Sequence, residues 1–134
     1  MPLLAADAPH PQKLTNQHHL DGAGCSFQLE GAPDEGADVF QWDFDKEAWL
    51  NLGDRDVRVD VISMRDIPSN RGSKGDRRVL TLRKMDVRMT IDTRKTSTCA
   101  ETDESCEAWS ESGTITIEAA KEKSVTRVKG TCGS

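Results

Sequence analysis

From Gly24 onward the apolar residues of this chain recur at every second position, and no segment carries a convincing helical period. A period of two sends alternate side chains to opposite faces of a strand, so that one face is buried while the other stays in water. Cys25, Phe27 and Leu29 alternate with Ser26, Gln28 and Glu30 before a turn over 31–34. Phe40, Trp42 and Phe44 come next, then a turn at Asp45 and Lys46, then Ala48, Leu50 and Leu52, then a turn at Gly53 and Asp54. Val57, Val59 and Val61 alternate with Arg58 and Asp60 as a half-buried strand. Residues 67–76 hold Pro68, Asn70, Gly72 and Gly75 and form the longest loop inside the domain.

In the second half Leu80 and Leu82 share a face, whereas Met85, Val87, Met89 and Ile91 are odd-numbered. This flip of parity predicts a tight turn over 83–86. Trp109, Ile115 and Ile117 mark the return strand of a long hairpin whose tip is the acidic stretch 99–106. Setting Cys99 opposite Cys106 would oppose Ile115 to Thr90 and Ile117 to Arg88. Directly opposed residues share a face, so a bulge is expected between 107 and 114, near Ser112 and Gly113, unless the cysteines lie outside the ladder. Val125 and Val128 are out of step by one, which predicts a bulge in the last strand, and 118–123 makes at most one helical turn. The expected fold is all-β, a single antiparallel β-sandwich or flattened β-barrel of about eight strands.

Such a domain needs staples. Of its 134 residues 35% are hydrophobic and 31% charged, which leaves a thin core for one domain. The four cysteines, Cys25, Cys99, Cys106 and Cys132, allow three pairings. The 99–106 spacing suits a local bridge over a loop, which leaves Cys25 with Cys132 to tie the two ends of the domain. By chain entropy the long closure contributes roughly 4–5 kcal/mol and the short one about 2 kcal/mol. No C-x-x-C occurs, so no metal is expected at the cysteines, and even pairing leaves no thiol nucleophile. Paired cysteines in a small domain point to an oxidising compartment, periplasmic or secreted.

Net charge is −5 without a basic face, which argues against nucleic acid as a partner. No apolar stretch is long enough to span a membrane. Residues 1–22 hold three of the five prolines and all three histidines and read as a flexible tail, with the β-domain over 23–134. Met1 to Ala8 is too short for a signal peptide; it reads as the remnant of a removed one or as a start placed near a cleavage site. Ala23-Gly24-Cys25 lacks the preceding apolar run that a lipid-anchored cysteine requires.

Candidate chemistry is sparse. Asp43 with Asp45, and Asp54 with Asp56, could offer oxygens to calcium, or with Glu47 a carboxylate pair to a glycosidase. The EF-hand pattern is absent, and aspartate at a turn is the simpler reading. His10, His18 and His19 could capture copper or zinc weakly, but they lie in the tail, and no G-x-S-x-G occurs to support a triad. Gly72-Ser73-Lys74-Gly75 lacks the spacing of a phosphate loop and reads as a turn. Trp42 and Trp109 read as core. Strict alternation sends Trp49 outward, and with Arg71 and Lys74 it makes the candidate binding surface. No cofactor is implied.

Cys25-Ser26-Phe27, the run Ala48-Trp49-Leu50-Asn51-Leu52-Gly53-Asp54-Arg55-Asp56-Val57, and Gly130-Thr131-Cys132-Gly133 together resemble small secreted or periplasmic disulfide-containing β-domain proteins of Gram-negative bacteria. The resemblance spans roughly residues 24–133 and implies fold and compartment, with no activity or residue role to carry over. Size, staples and compartment are also similar to those of small β-barrel lysozyme inhibitors, whose inhibitory loop would correspond by position alone to Ser69–Gly75. The expected function is therefore an extracytoplasmic binding module, not an enzyme, with a protein or a cell-envelope glycan as partner. The alternatives are an inhibitor of a lysozyme-like or proteolytic enzyme acting through the 66–76 loop, and a small carboxylate hydrolase.

Overall fold

The computed structural model describes residues 9–15, 23–31, 38–44, 46–53, 55–69, 75–97 and 108–133. Eight strands run in chain order: β1 (Gly24–Leu29), β2 (Asp38–Trp42), β3 (Glu47–Asn51), β4 (Asp56–Ile67), β5 (Arg77–Lys84), β6 (Val87–Ser97), β7 (Ala108–Ala119) and β8 (Glu122–Gly133). Each pairs antiparallel with the next, and β8 pairs with β1, which closes the sheet into an up-and-down barrel. Of the two architectures open to the sequence, the barrel is the one found. Closure gives the first and last strands partners for the backbone groups that an open edge would leave exposed.

The alternation seen in the sequence becomes inside and outside. Phe27, Phe40, Leu50, Leu80, Leu82, Met89, Ile91, Ile115, Ile117 and Val128 are buried and fill the barrel. Each such side chain contributes roughly 1.5–3 kcal/mol relative to exposure. Arg58, Asp60, Arg88, Arg94 and Arg127 stand in water on the outer wall. A charged wall around an apolar interior reverses the pattern that a lipid-facing barrel requires. No helix of the described residues is long and apolar enough to cross a membrane.

Cys25 and Cys132 oppose each other on the β1–β8 seam and are disulfide-bonded, as the spacing argument expects. Cys99 and Cys106 lie outside the described residues. Two tight hairpins turn at Met85 and Ala120, both with positive φ. The first matches the expected turn over 83–86; the second replaces the helical turn considered over 118–123.

Three local expectations are corrected. The β6–β7 irregularity lies between Lys95 and Ser97 on β6, while β7 runs unbroken through Ser112 and Gly113, and Ile115 faces Ile91. In β8 no bulge forms. Its ladder with β7 is continuous, Val128 is buried, and Val125 lies on the wet face, 54% exposed. Phe44, read as a strand residue, falls just past β2 with φ 65° and stacks edge-on against Trp42.

Gly113 and Gly130 show how tightly the wall bends. Both sit in phase with the inward-facing residues. A Cβ on Gly130 would come 2.0 Å from the carbonyl oxygen of Ser26, and one on Gly113 would come 1.9 Å from that of Asp92. Glycine at such corners lets neighbouring strands approach, and the Phe27 ring covers the gap opposite Gly130. Gly130→Ala is expected to cost about 2–3 kcal/mol, read as a fall in the urea midpoint, because backbone must move to admit the methyl. A stability within experimental error of the parent would contradict this packing.

The two ends of the barrel differ. Residues 9–15, part of the stretch read as a tail, lie across one opening. The Ser124 hydroxyl donates to the Pro9 carbonyl on the β8 side. Gln12 N–H donates to Asn51 O, and Leu14 N–H to Asp38 O, where β2 and β3 diverge. Thr15 N–H reaches the Asp56 carboxylate on β4, the strand diametrically opposite β8. Leu14 is buried beneath this strap, 6% exposed. At the other end β4 continues past β3, whose ladder stops at Asp60, and with β5 raises a lip over the opening.

Candidate functional site

At the end opposite the strap, which the described residues leave open, the lining is charged rather than apolar. Arg78 is in phase with Leu80 and Leu82 on β5, and Glu111 with Ile115 and Ile117 on β7, so both project into the barrel. The Glu111 side chain is 2% exposed and that of Arg78 14%. The Glu111 carboxylate accepts from Thr93 Oγ1 at 2.7 Å, from Trp109 Nε1 at 2.6 Å and from Arg78 Nη1 at 3.1 Å. The same Nη1 lies 3.5 Å and 3.8 Å from the sulfurs of Cys25 and Cys132. The guanidinium also lies over the rings of Trp42 and Phe44, at 5.5 Å and 5.7 Å. Its Nε is buried, with Asp66 Oδ1 at 3.4 Å but without hydrogen-bond geometry. A buried ion pair is costly to desolvate and survives where its remaining polar atoms are satisfied, as those of Glu111 are.

Above this pair lies a cavity of about 340 Å³, bounded by the lip residues Asp66, Ile67 and Pro68, by Asp76 and Arg77, and by Lys95 on β6. The Lys95 ammonium sits 4.5 Å from the Trp109 ring centroid. Arg77 points outward and forms a two-pronged ion pair with Asp92, Nε to Oδ1 at 2.8 Å and Nη2 to Oδ2 at 2.5 Å. The hydrogen bond from Arg77 holds the Asp92 carboxyl below its ordinary value of 3.8, with partial burial opposing. A carboxylate with a depressed folded-state pKa adds stability above its unfolded value and loses it as pH falls through the folded one. Asp92→Asn is therefore expected to flatten the stability profile below pH 3.8, measured by urea titrations across that range. An unchanged acid limb would count against the pair.

The residues singled out in the sequence are not gathered here. Trp49 lies on the outer wall between Gln41 and Arg58, half-buried, with the Arg58 guanidinium 5.0 Å from its ring centroid. Arg71 and Lys74 lie outside the described residues, as do Asp45, Asp54, His18 and His19. Asp43 and Glu47 lie at the open end, and Glu47 pairs with Arg58. Asp56 lies at the strapped end, away from Asp43 and Glu47. His10 hydrogen-bonds Thr126 at the strapped end. Among the described residues the one group of three metal-type donors is Cys25, Glu111 and Cys132. Two of these are spent on each other as a disulfide, and the Arg78 cation sits among all three.

Fold and site together define a closed, eight-stranded up-and-down barrel, strapped at one end and carrying a charged cavity at the other. Comparison with family models, curated proteins and solved structures found no match.

Proposed function

We propose that the chain is an extracytoplasmic binding module whose ligand enters the open end of the barrel. One observation carries this reading: a buried Arg78–Glu111 pair forms the floor of a cavity at the end opposite the strap. Apolar side chains would seal that opening at lower desolvation cost, and convergent polar groups under a concave surface are the usual mark of a ligand site. The role is binding rather than catalysis, because the oxygens of Glu111, the buried carboxylate of the site, are engaged by three protein donors. A disulfide across the seam agrees with an oxidising compartment.

The test is a thermal-shift screen of small polar compounds and envelope-glycan fragments, with hits mapped by NMR. Ligands are expected to perturb Thr93 and the Trp109 indole, and to lose affinity in the Arg78→Met/Glu111→Leu double variant. Hits mapping to Trp49 on the outer wall would refute the reading.

The lip supports a second reading, inhibition of a lysozyme-like or proteolytic enzyme through the 66–76 loop. Ile62 and Met64 on the lip are 53% and 49% exposed, and the β4 edge beyond Val61 has no strand partner among the described residues. Stoichiometric slowing of one such enzyme would support it; failure across a broad panel would end it.

A further inference from the structure

Resting on the binding reading above, we propose that the cavity takes a small organic carboxylate, with Lys95 as its counter-ion and Arg78 Nη2 as a second donor. An inventory of spent and unspent charge leads there. Of the anions in the lining, Glu111 is saturated by Arg78, Trp109 and Thr93. Asp76 Oδ1 accepts from Ser69 N–H at 2.8 Å, and Asp66 faces Arg78 Nε. Of the cations, Arg77 is held by both Asp92 oxygens on the outer wall. Arg78 commits Nη1 to Glu111 and the sulfurs, while Nη2 donates to none of the described residues.

Lys95 completes the count. It stands directly opposite Glu111 in the β6–β7 ladder, yet the carboxylate is turned to its other three donors. The ammonium rests instead on the Trp109 face and has no carboxylate partner among the described residues. A cation on an aromatic face keeps its N–H groups available, and a carboxylate is the ligand that forms charge-assisted bonds with them. The lining sets three cations against three carboxylates, and Lys95 is the cation that none of those carboxylates holds. Ile67 and Pro68 supply an apolar wall for the rest of the ligand, and 340 Å³ is near the lower end of the range for ligand sites, so that remainder is small.

The probes are isovalerate, isovaleramide and isoamylamine, which share one branched carbon skeleton and carry negative, zero and positive charge. Each is titrated into the full oxidised chain while the three tryptophan indole N–H signals are followed by NMR. Isovalerate is expected to move the Trp109 signal and leave that of Trp49 in place. Lys95→Met is expected to weaken the effect about tenfold and Lys95→Arg to preserve most of it, each with an unchanged thermal midpoint. If the amide or the amine moves Trp109 as readily as the carboxylate does, the carboxylate assignment falls while the binding reading stands. If none of the three perturbs any signal of the open end at tens of millimolar, the carboxylate assignment is overturned and the thermal-shift screen alone decides the broader reading.

Discussion

Glu111→Leu is expected to lower stability by about 3–5 kcal/mol, and adding Arg78→Met is expected to restore the part of the loss that comes from the unpaired guanidinium. The single change leaves a guanidinium against two sulfurs and two aromatic rings without the carboxylate that neutralises it. It also strands the Thr93 hydroxyl and the Trp109 indole N–H, which donate to Glu111. Arginine cannot relieve its burial by losing a proton, so the cost falls on the fold. The double change removes charge from both sides and fills the space with apolar volume, which in buried pairs is often neutral or better. Urea unfolding of the four proteins in this cycle gives the coupling directly. Additive effects below about 1 kcal/mol would mean that the pair behaves as a solvated surface bridge. A double variant as stable as the parent but unable to bind ligand would place the reason for the pair in function rather than in folding.

That pair was legible in the sequence, though not by asking which charged residues cluster. Arg78 is in step with Leu80 and Leu82, and Glu111 with Trp109, Ile115 and Ile117. A charge in phase with an apolar stripe is a buried charge, and one of each sign on neighbouring faces is a candidate pair. Neither is an exposed residue or a turn aspartate. The barrel was half-legible: alternation supplied the strands, and cysteine spacing supplied the seam that joins the first to the last. What alternation cannot supply is which strand pairs absorb irregularity. The irregularity of the β6–β7 ladder lies on β6 rather than β7, and Gly113 on β7 lets the strands approach without a break. The apparent slip between Val125 and Val128 was a valine on the wet face of a regular strand. The strap is not legible in the sequence for a different reason. Its hold depends on backbone groups of β2 and β3 that only the folded barrel presents, and Leu14 alone among 9–15 carries a strong apolar signal.

Replacing Cys25 and Cys132 together by alanine is expected to cost about 4 kcal/mol, and a reductant should lower the parent's midpoint at least as far. The bridge joins residues 107 apart, so its loss frees the unfolded chain to explore nearly the whole domain length. In the folded state the six-residue β1–β8 ladder remains, and the seam can still form by hydrogen bonding. The barrel should therefore refold as a less stable but closed structure, with its near-ultraviolet dichroism preserved below the new midpoint. Local consequences should concentrate at the open end, where Arg78 Nη1 loses the disulfide as a neighbour while keeping Glu111. Amide exchange at Ser26 and Thr131, beside the bridge, should accelerate more than at Leu82 and Met89 deep in the barrel. Uniform acceleration through all eight strands would instead mean that the seam is the cooperative weak point of the whole barrel, and that the ladder without its covalent tie does not hold.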